Sequence, residues 1–242
     1  MAILKKHHDP IGQAVLDYWN GESGHNILVQ TDIAEDEYLT PAYFFRTFDA
    51  MPVQEQEALK RCRGKVLDVG AGAGAHSMWL QENGFDVDSL DISPLSCEVM
   101  QKRGIRNVLL QDVYSLTENK YDTILLLMNG AGVAQTLPGL EKLLHQLKKL
   151  LHPGGRILAD SSDLLYLFTD ENGDTWIDIG SDSYYGEMEY RLTYRKTKGK
   201  PFPWLYVDPE TFADYAVRCG FRIIEKIAGS HYDYLIEIVL DK

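Results

Sequence analysis

The stretch Val66-Leu67-Asp68-Val69-Gly70-Ala71-Gly72-Ala73-Gly74 decides how the rest of the chain is read. Apolar residues interrupted by one acid run straight into glycines at every second position. The first part reads as a short strand buried on both faces. The second part breaks that strand, because glycine lets the backbone turn tightly and approach a ligand closely where a side chain would stand in the way. A helical pattern follows from Ala75 to Glu82 and stops at Asn83-Gly84. A strand, a glycine-rich turn and a helix in that order form a ligand-binding element of open α/β sheets.

Outward from this element, strands and helices alternate. Asp86 to Leu90 is the next strand, and Ser93-Pro94 predicts a capped helix start with proline at the first helical position. Ile105 to Leu110 and Tyr121 to Met128 read as strands. Leu140, Leu143, Leu144, Leu147, Leu150 and Leu151 trace a helical stripe meant for the core, closed by His152-Pro153-Gly154-Gly155, and Arg156 to Ala159 is a fifth strand. Such alternation with short connections predicts a parallel sheet with helices on both faces, a Rossmann-like α/β core over residues 64–161.

The flanks differ. Residues 1–63 read as an N-terminal helical cap. Ile11, Ala14, Val15, Tyr18 and Trp19 share one helical face, aromatics cluster at Tyr43, Phe44, Phe45 and Phe48, and a charged helix runs from Val53 to Cys62. Residues 162–207 break the rhythm: Met188, Tyr190, Leu192 and Tyr194 alternate with polar residues, and Lys198-Gly199 predicts a turn into Pro201 to Val207. This is an inserted antiparallel β-hairpin rich in aromatic residues. Residues 208–242 add a helix starting at Asp208-Pro209 and two strands, Phe221 to Ile227 and Tyr234 to Leu240. All four pieces, 1–242, read as one domain.

Composition narrows the function. The 242 residues carry 24 Lys and Arg against 36 Asp and Glu, a formal net charge of −12. Nucleic-acid and membrane-surface partners need basic patches, so neither is expected. The N-terminus turns polar after four residues and the longest aliphatic run, Ile124 to Met128, is far short of a membrane span. Cys62, Cys97 and Cys219 are too few and too scattered for a disulfide framework and read as reduced thiols. These features predict a cytoplasmic protein. His7-His8 has no third ligand at a recognisable spacing, so no metal site is expected.

Two cofactor classes use such a glycine turn. Gly70, Gly72 and Ala75 satisfy the dinucleotide pattern G-x-G-x-x-G/A, which keeps an NAD(P)-binding oxidoreductase open. Four features favour S-adenosylmethionine instead. Asp68 stands two residues before the first glycine, where a carboxylate disfavours a pyrophosphate and suits a ligand carrying an ammonium and a sulfonium. Asp91 ends the second strand, placed to accept hydrogen bonds from ribose hydroxyls in either class. Asp112, in Gln111-Asp112-Val113, follows the third strand, where an adenine amino group can be read. About 60 residues precede the first strand, whereas dinucleotide domains more often open the chain.

On these residues, together with Leu90-Asp91-Ile92-Ser93, Tyr121-Asp122-Thr123-Ile124 and Leu151-His152-Pro153-Gly154-Gly155, the chain resembles the class I S-adenosylmethionine-dependent methyltransferases over residues 64–160. The resemblance implies a seven-stranded, mostly parallel sheet with an antiparallel last strand. It implies S-adenosylmethionine as cofactor and S-adenosylhomocysteine as product. The cofactor residues would be Asp68, Val69, Gly70, Ala71, Gly72, Gly74, Asp91, Ile92, Asp112 and Val113, with Asn129 and Gly130 at the methionine end. Family members that methylate base amines or glutamine carry an Asn/Asp-Pro-Pro-aromatic turn after the fourth strand. Here that place reads Met128-Asn129-Gly130-Ala131-Gly132-Val133, which with the acidic charge points to a small-molecule acceptor.

Acceptor contacts are expected from the flanks: Tyr18, Trp19, Tyr38 and Arg46 from the first, and Tyr184, Tyr185 and Trp204 from the insert. Asp163, in Asp160-Ser161-Ser162-Asp163 at the end of the fifth strand, and His231 are the acid/base candidates. A non-catalytic cofactor-binding protein and a methyltransferase acting on protein or RNA remain as other readings. The accepting atom and the oligomeric state do not follow from the sequence.

Overall fold

The computed structural model describes residues 2–117, 121–170, 172, 174–175 and 184–240. Within the insert, 176–183 therefore lie outside the described residues. The glycine turn sits where its sequence places it, between β3 (Lys65–Val69) and α3 (Ala75–Glu82). Around it, β4 (Asp86–Asp91), β5 (Asn107–Leu110), β6 (Tyr121–Leu126) and β7 (Leu151–Ser162) pair in parallel, and β11 (Phe221–Ala228) and β12 (Asp233–Leu240) complete the edge. The seven strands run in the order β11-β12-β7-β6-β3-β4-β5, with β12 antiparallel to both neighbours. This is the seven-stranded Rossmann-like sheet that the sequence predicts. Chain direction reverses order at β3 and β6, the switch point at which open α/β sheets bind ligands.

Local chemistry fixes the helix starts. Asp9 caps α1 (Pro10–Trp19), its carboxylate accepting the Gly12 N–H at 2.8 Å. Ser93 caps α4 (Pro94–Lys102) by accepting the Ser96 N–H at 2.9 Å, and Thr136 caps α5 (Leu137–Leu150). Asp208 caps α6 (Pro209–Arg218) through the N–H groups of Glu210 and Thr211. Each of these four helices also has proline in its first turn, where a missing N–H costs nothing. The leucine stripe of α5 is fully buried against the sheet, and α2 (Val53–Arg61) covers the opposite face with Ala58 and Leu59. Leu151 pairs with Tyr121 and Arg156 with Thr123, so His152-Pro153-Gly154-Gly155 bulges from β7 instead of ending before it.

The N-terminal helical cap needs correction. Between α1 and α2 the chain forms β1 (Ile27–Thr31) and β2 (Glu37–Leu39), and its helical pieces there are the short 3-10 turns Pro41–Phe45 and Phe48–Ala50. Ile27-Leu28-Val29-Gln30-Thr31 carries strand-favouring β-branched residues, but its partner is more than 150 residues away: β1 pairs with β8 (Glu187–Tyr194) through Val29↔Leu192 and Gln30↔Arg191. With β9 (Thr197–Lys198) and β10 (Phe202–Leu205) they build a second, five-stranded antiparallel sheet. The hairpin reverses at Arg195-Lys196, earlier than Lys198-Gly199. Arg195 takes φ 53° and its guanidinium bonds Asp17 of α1 at 2.9 Å. The two flanks are thus one structure.

All three cysteines are buried and unpaired, as read from the sequence. Among the described residues no helix is long and apolar enough to cross a membrane, and no group of three or more His, Cys, Asp and Glu is placed to hold a metal ion.

Candidate active site

Gly70, Gly72 and Gly74 adopt φ of 75°, 58° and 78°, a left-handed region that L side chains rarely take. The turn is pinned to β4 by Gly70 and Ala71 N–H groups donating to the Leu90 carbonyl at 2.8 and 3.0 Å. A Cβ added to Gly70 would meet nothing within 4 Å, so the turn is open there. At Gly74 the same atom would fall 2.1 Å from the terminal methyl of Ile105, which would have to move, and the φ of 78° already disfavours a side chain there. Gly72 is overlain by the Phe44 ring, 3.4 Å from where its Cβ would be. Phe44 belongs to the aromatic cluster at Tyr43-Phe44-Phe45, whose nearness to the glycine turn no local pattern announces.

Asp91 crosses from the end of β4 to the turn. One carboxylate oxygen accepts the Gly72 N–H and the other the Ser93 N–H, each at 2.8 Å. Burial pushes its pKa up to about 6 despite these two bonds, and the nearby carboxylates of Asp9 and Asp68 add to the rise. Asp9 is itself buried and accepts the Ser93 hydroxyl at 2.5 Å, tying α1 to α4 beside the ribose-type acid. Asp68 is 2 % exposed under α3, where it accepts the Ser77 hydroxyl at 2.6 Å. It therefore contributes charge from beneath the turn while its hydrogen bond is used internally. Asp112 caps the short helical turn Val113–Ser115 after β5, accepting the Tyr114 N–H at 3.1 Å, with Val113 buried behind it. Ile92 follows Asp91, and its carbonyl accepts the Leu4 N–H at 2.9 Å.

Three carboxylates, Asp9, Asp68 and Asp91, lie at the glycine turn, and the Arg103 guanidinium donates to its Ala73 carbonyl. Asp9, Asp68 and Asp91 are close enough to raise the last one's pKa together. A pyrophosphate would meet this field as repulsion, whereas a sulfonium and an ammonium would meet it as attraction. The donor set fits S-adenosylmethionine better than a dinucleotide.

After β6, Met128 and Asn129 occupy the left-handed region in succession, with φ of 60° and 55°. For non-glycine residues each such step costs about 1–2 kcal/mol. The compensation is visible: both N–H groups donate to Asp160 at the carboxyl end of β7, at 3.1 and 2.6 Å. The Asn129 side chain accepts the Ser161 hydroxyl at 2.6 Å and donates to the Leu205 carbonyl at 3.2 Å. Trp204 packs on Gly132 so closely that a Cβ there would lie 2.0 Å from the ring. The second sheet is thereby docked on the turn that follows Asn129 and Gly130.

Of the expected acceptor contacts, Arg46 is drawn into the packing between the N-terminal segment and α2. It is 8 % exposed, donates to the Tyr43 carbonyl, stacks over that tyrosine's ring at 4.1 Å and pairs with the buried Glu55. Glu55 also bonds His76 at 2.7 Å. This cation, paired with a buried carboxylate that also bonds His76, holds the N-terminal segment to α2 and α3. Tyr184 is likewise spent on structure, its hydroxyl donating to Asp208 at 2.6 Å. Tyr18 packs on Phe45, while Trp19 and Tyr38 are exposed at 42 % and 71 %. Tyr185 donates its hydroxyl to Asp163 at 2.7 Å. His231 lies exposed in the β11–β12 turn, and among the described residues no hydrogen bond joins its side chain to Asp163. Sequence reasoning missed the Tyr190–Tyr206 pair, whose hydroxyls lie 2.6 Å apart, because their contact depends on the β8–β10 register.

The comparisons agree with this geometry. A family model described as a methyltransferase domain matches residues 67–159. No curated protein matches the chain. Among solved structures, a SAM-dependent methyltransferase from Bacteroides fragilis, in complex with S-adenosyl-L-homocysteine, is 38% identical. It aligns over 100% of this chain and 98% of its own with a TM-score of 0.92. Two more distant structures share the fold. One is an S-adenosylmethionine-dependent methyltransferase from Clostridium acetobutylicum (13% identity, 80% of this chain and 94% of that one, TM-score 0.61). The other is the Burkholderia thailandensis 1,6-didemethyltoxoflavin-N1-methyltransferase (17% identity, 79% and 80%, TM-score 0.53). The acidic glycine-turn site, the strand order and the full-length likeness converge: the chain belongs to the S-adenosylmethionine-dependent methyltransferases.

Proposed function

We propose that the chain methylates a small-molecule acceptor held between the carboxyl ends of β6 and β7 and the second sheet. The observation that carries this reading is the docking of Trp204 and Leu205 on the turn after β6, which would set the aromatic sheet beside the methionine end of a cofactor bound there. Asp91 would take the ribose hydroxyls, Asp112 and Val113 the adenine, the Gly70–Gly72 backbone with Val69, Ala71 and Ile92 the central part, and Asn129 and Gly130 the methionine end. S-adenosylmethionine supplies an activated methyl group on a cationic sulfur. The protein's own work is to align the acceptor and exclude water, and orientation of this kind contributes up to about 7–11 kcal/mol. Asp163, bonded to the Tyr185 hydroxyl beside the second sheet, is the group we propose to receive a proton where the acceptor arrives protonated. The net charge of −12 also disfavours RNA. The Burkholderia thailandensis neighbour acts on a small heterocycle, although at 17% identity that likeness carries the fold alone.

The test is to incubate the protein with methyl-labelled S-adenosylmethionine and a cell extract split into small-molecule, protein and RNA fractions. Label in the small-molecule fraction, abolished by Asp91→Ala, is the expected result. Label in protein or RNA would overturn the acceptor class.

A further inference from the structure

We propose that Asp160 is a positioning residue of the transfer site, its carboxylate holding Met128 and Asn129 in the left-handed backbone that shapes the cofactor's methionine end and setting a negative charge behind the sulfonium. The inference rests on the placement of that end beside Asn129 proposed above.

Three observations carry it. Met128 and Asn129 are consecutive non-glycine residues in the left-handed region, a conformation that persists only where its surroundings impose it. Their N–H groups converge on one carboxylate, one oxygen each, so the side chain that imposes it is Asp160. The same turn is braced by Ser161 and Leu205 through the Asn129 amide, so a shift of Asp160 would reach both the cofactor side and the second sheet.

The groups around Asp160 come from every side. Burial, and after it Glu55 of α2, raises its pKa to about 7, while the two N–H groups and His76 of α3 hold it down. Tyr43, Tyr206 and Tyr234 are near enough to feel its charge. Arg46, the cation of this neighbourhood, is bound to Glu55. Near neutral pH the carboxylate therefore passes between neutral and charged, and a cationic ligand beside it favours the charged form.

S-adenosylmethionine and S-adenosylhomocysteine differ at the sulfur in charge and one methyl group, which separates the positioning of the turn from the charge behind it. The experiment is calorimetric titration of the wild type and Asp160→Asn with both ligands at pH 5.5, 6.5 and 7.5. In the wild type the preference for S-adenosylmethionine over S-adenosylhomocysteine should grow about tenfold across this range as the carboxylate ionises. In Asp160→Asn the growth above pH 6.5 should be lost, leaving the smaller rise that Asp91 contributes as it ionises near pH 6. That variant should bind S-adenosylhomocysteine about threefold more weakly and S-adenosylmethionine about thirtyfold more weakly at pH 7.5. Equal losses for both ligands, or unchanged affinities, would overturn the proposal, because a residue that only supports the fold lowers both alike. If the variant does not fold, the wild-type titration decides alone, and a preference that does not grow above pH 6.5 overturns it. Failure of the wild type to bind either ligand would remove the cofactor reading itself and this proposal with it.

Discussion

The cofactor half and the acceptor half of the molecule are built by different rules. In the large sheet β3, β4 and β6 are each followed by an α-helix and β5 by a single helical turn, and the groups proposed for the cofactor lie at or within a few residues of a strand end: Gly70 to Gly74 after β3, Asp91 at the end of β4, Asp112 after β5 and Asn129 after β6. The second sheet has no such local order. Its strands come from residues 27–39 and 187–205, joined by the β1–β8 ladder, and α1 braces them, fastened at one end to Ser93 by Asp9 and at the other to Arg195 by Asp17. A site assembled from strand ends withstands change in the flanks. A sheet assembled across 150 residues can change its surface without disturbing the cofactor. The two halves touch where specificity meets chemistry, at Phe44 over Gly72 and Trp204 over Gly132.

The largest effect should follow from breaking the cofactor half at its tightest point. Gly74→Val places a branched side chain at φ 78° and within 2.1 Å of Ile105, which should cost about 3–5 kcal/mol in chemical denaturation. Leu143→Ala, in the fully buried stripe of α5, should cost about 2–5 kcal/mol by the same measurement. Leu143→Ala should reduce binding of S-adenosylhomocysteine only as far as it reduces the folded fraction, whereas Gly74→Val also deforms the glycine turn and should reduce it further.

Asp91→Asn sharpens the comparison by separating binding from stability. Loss of the charge should weaken S-adenosylhomocysteine binding by about tenfold or more at pH 8. Its effect on the ligand-free fold has the opposite sign. The folded pKa of Asp91 is raised above its unfolded value, so its stabilising contribution is full below about pH 4 and is lost as pH rises through about 6. The melting temperature of Asp91→Asn relative to wild type should therefore improve between pH 4 and 8 in the absence of ligand. A difference that stays constant with pH would show that Asp91 is not held at a raised pKa.

The smallest effect belongs to the acceptor half. Tyr190→Phe removes one hydroxyl from the 2.6 Å pair with Tyr206, costing about 1 kcal/mol of stability. It should leave S-adenosylhomocysteine affinity within about twofold, while changing turnover of the acceptor once that is known. A cofactor affinity that fell with Tyr190→Phe would mean the two halves are coupled more tightly than their construction implies.

The same contrast explains what was legible in the sequence. Val66 to Gly74, Ser93-Pro94, Asp208-Pro209 and the α5 leucines act through neighbours in the chain, and their elements and the order of the large sheet follow from local pattern. Ile27 to Thr31 carries strand chemistry too, yet beside long helical patterns it reads as part of a helical cap, because the strand that completes it lies beyond the whole cofactor core. Arg46 reads as a substrate-binding cation, and only the fold shows Glu55 against it. Asp160 sits in an acidic stretch in which, by sequence alone, Asp163 is equally placed. Only the left-handed turn across from β7 distinguishes the two.

The central claim is that the acidic glycine turn is built for a cationic sulfur cofactor and not for a dinucleotide. The most direct test is calorimetric titration of one wild-type preparation with S-adenosylmethionine and, separately, with NAD and NADP. The account predicts a single S-adenosylmethionine site and no measurable heat of binding from either dinucleotide. Saturable NAD or NADP binding with none for S-adenosylmethionine would contradict it.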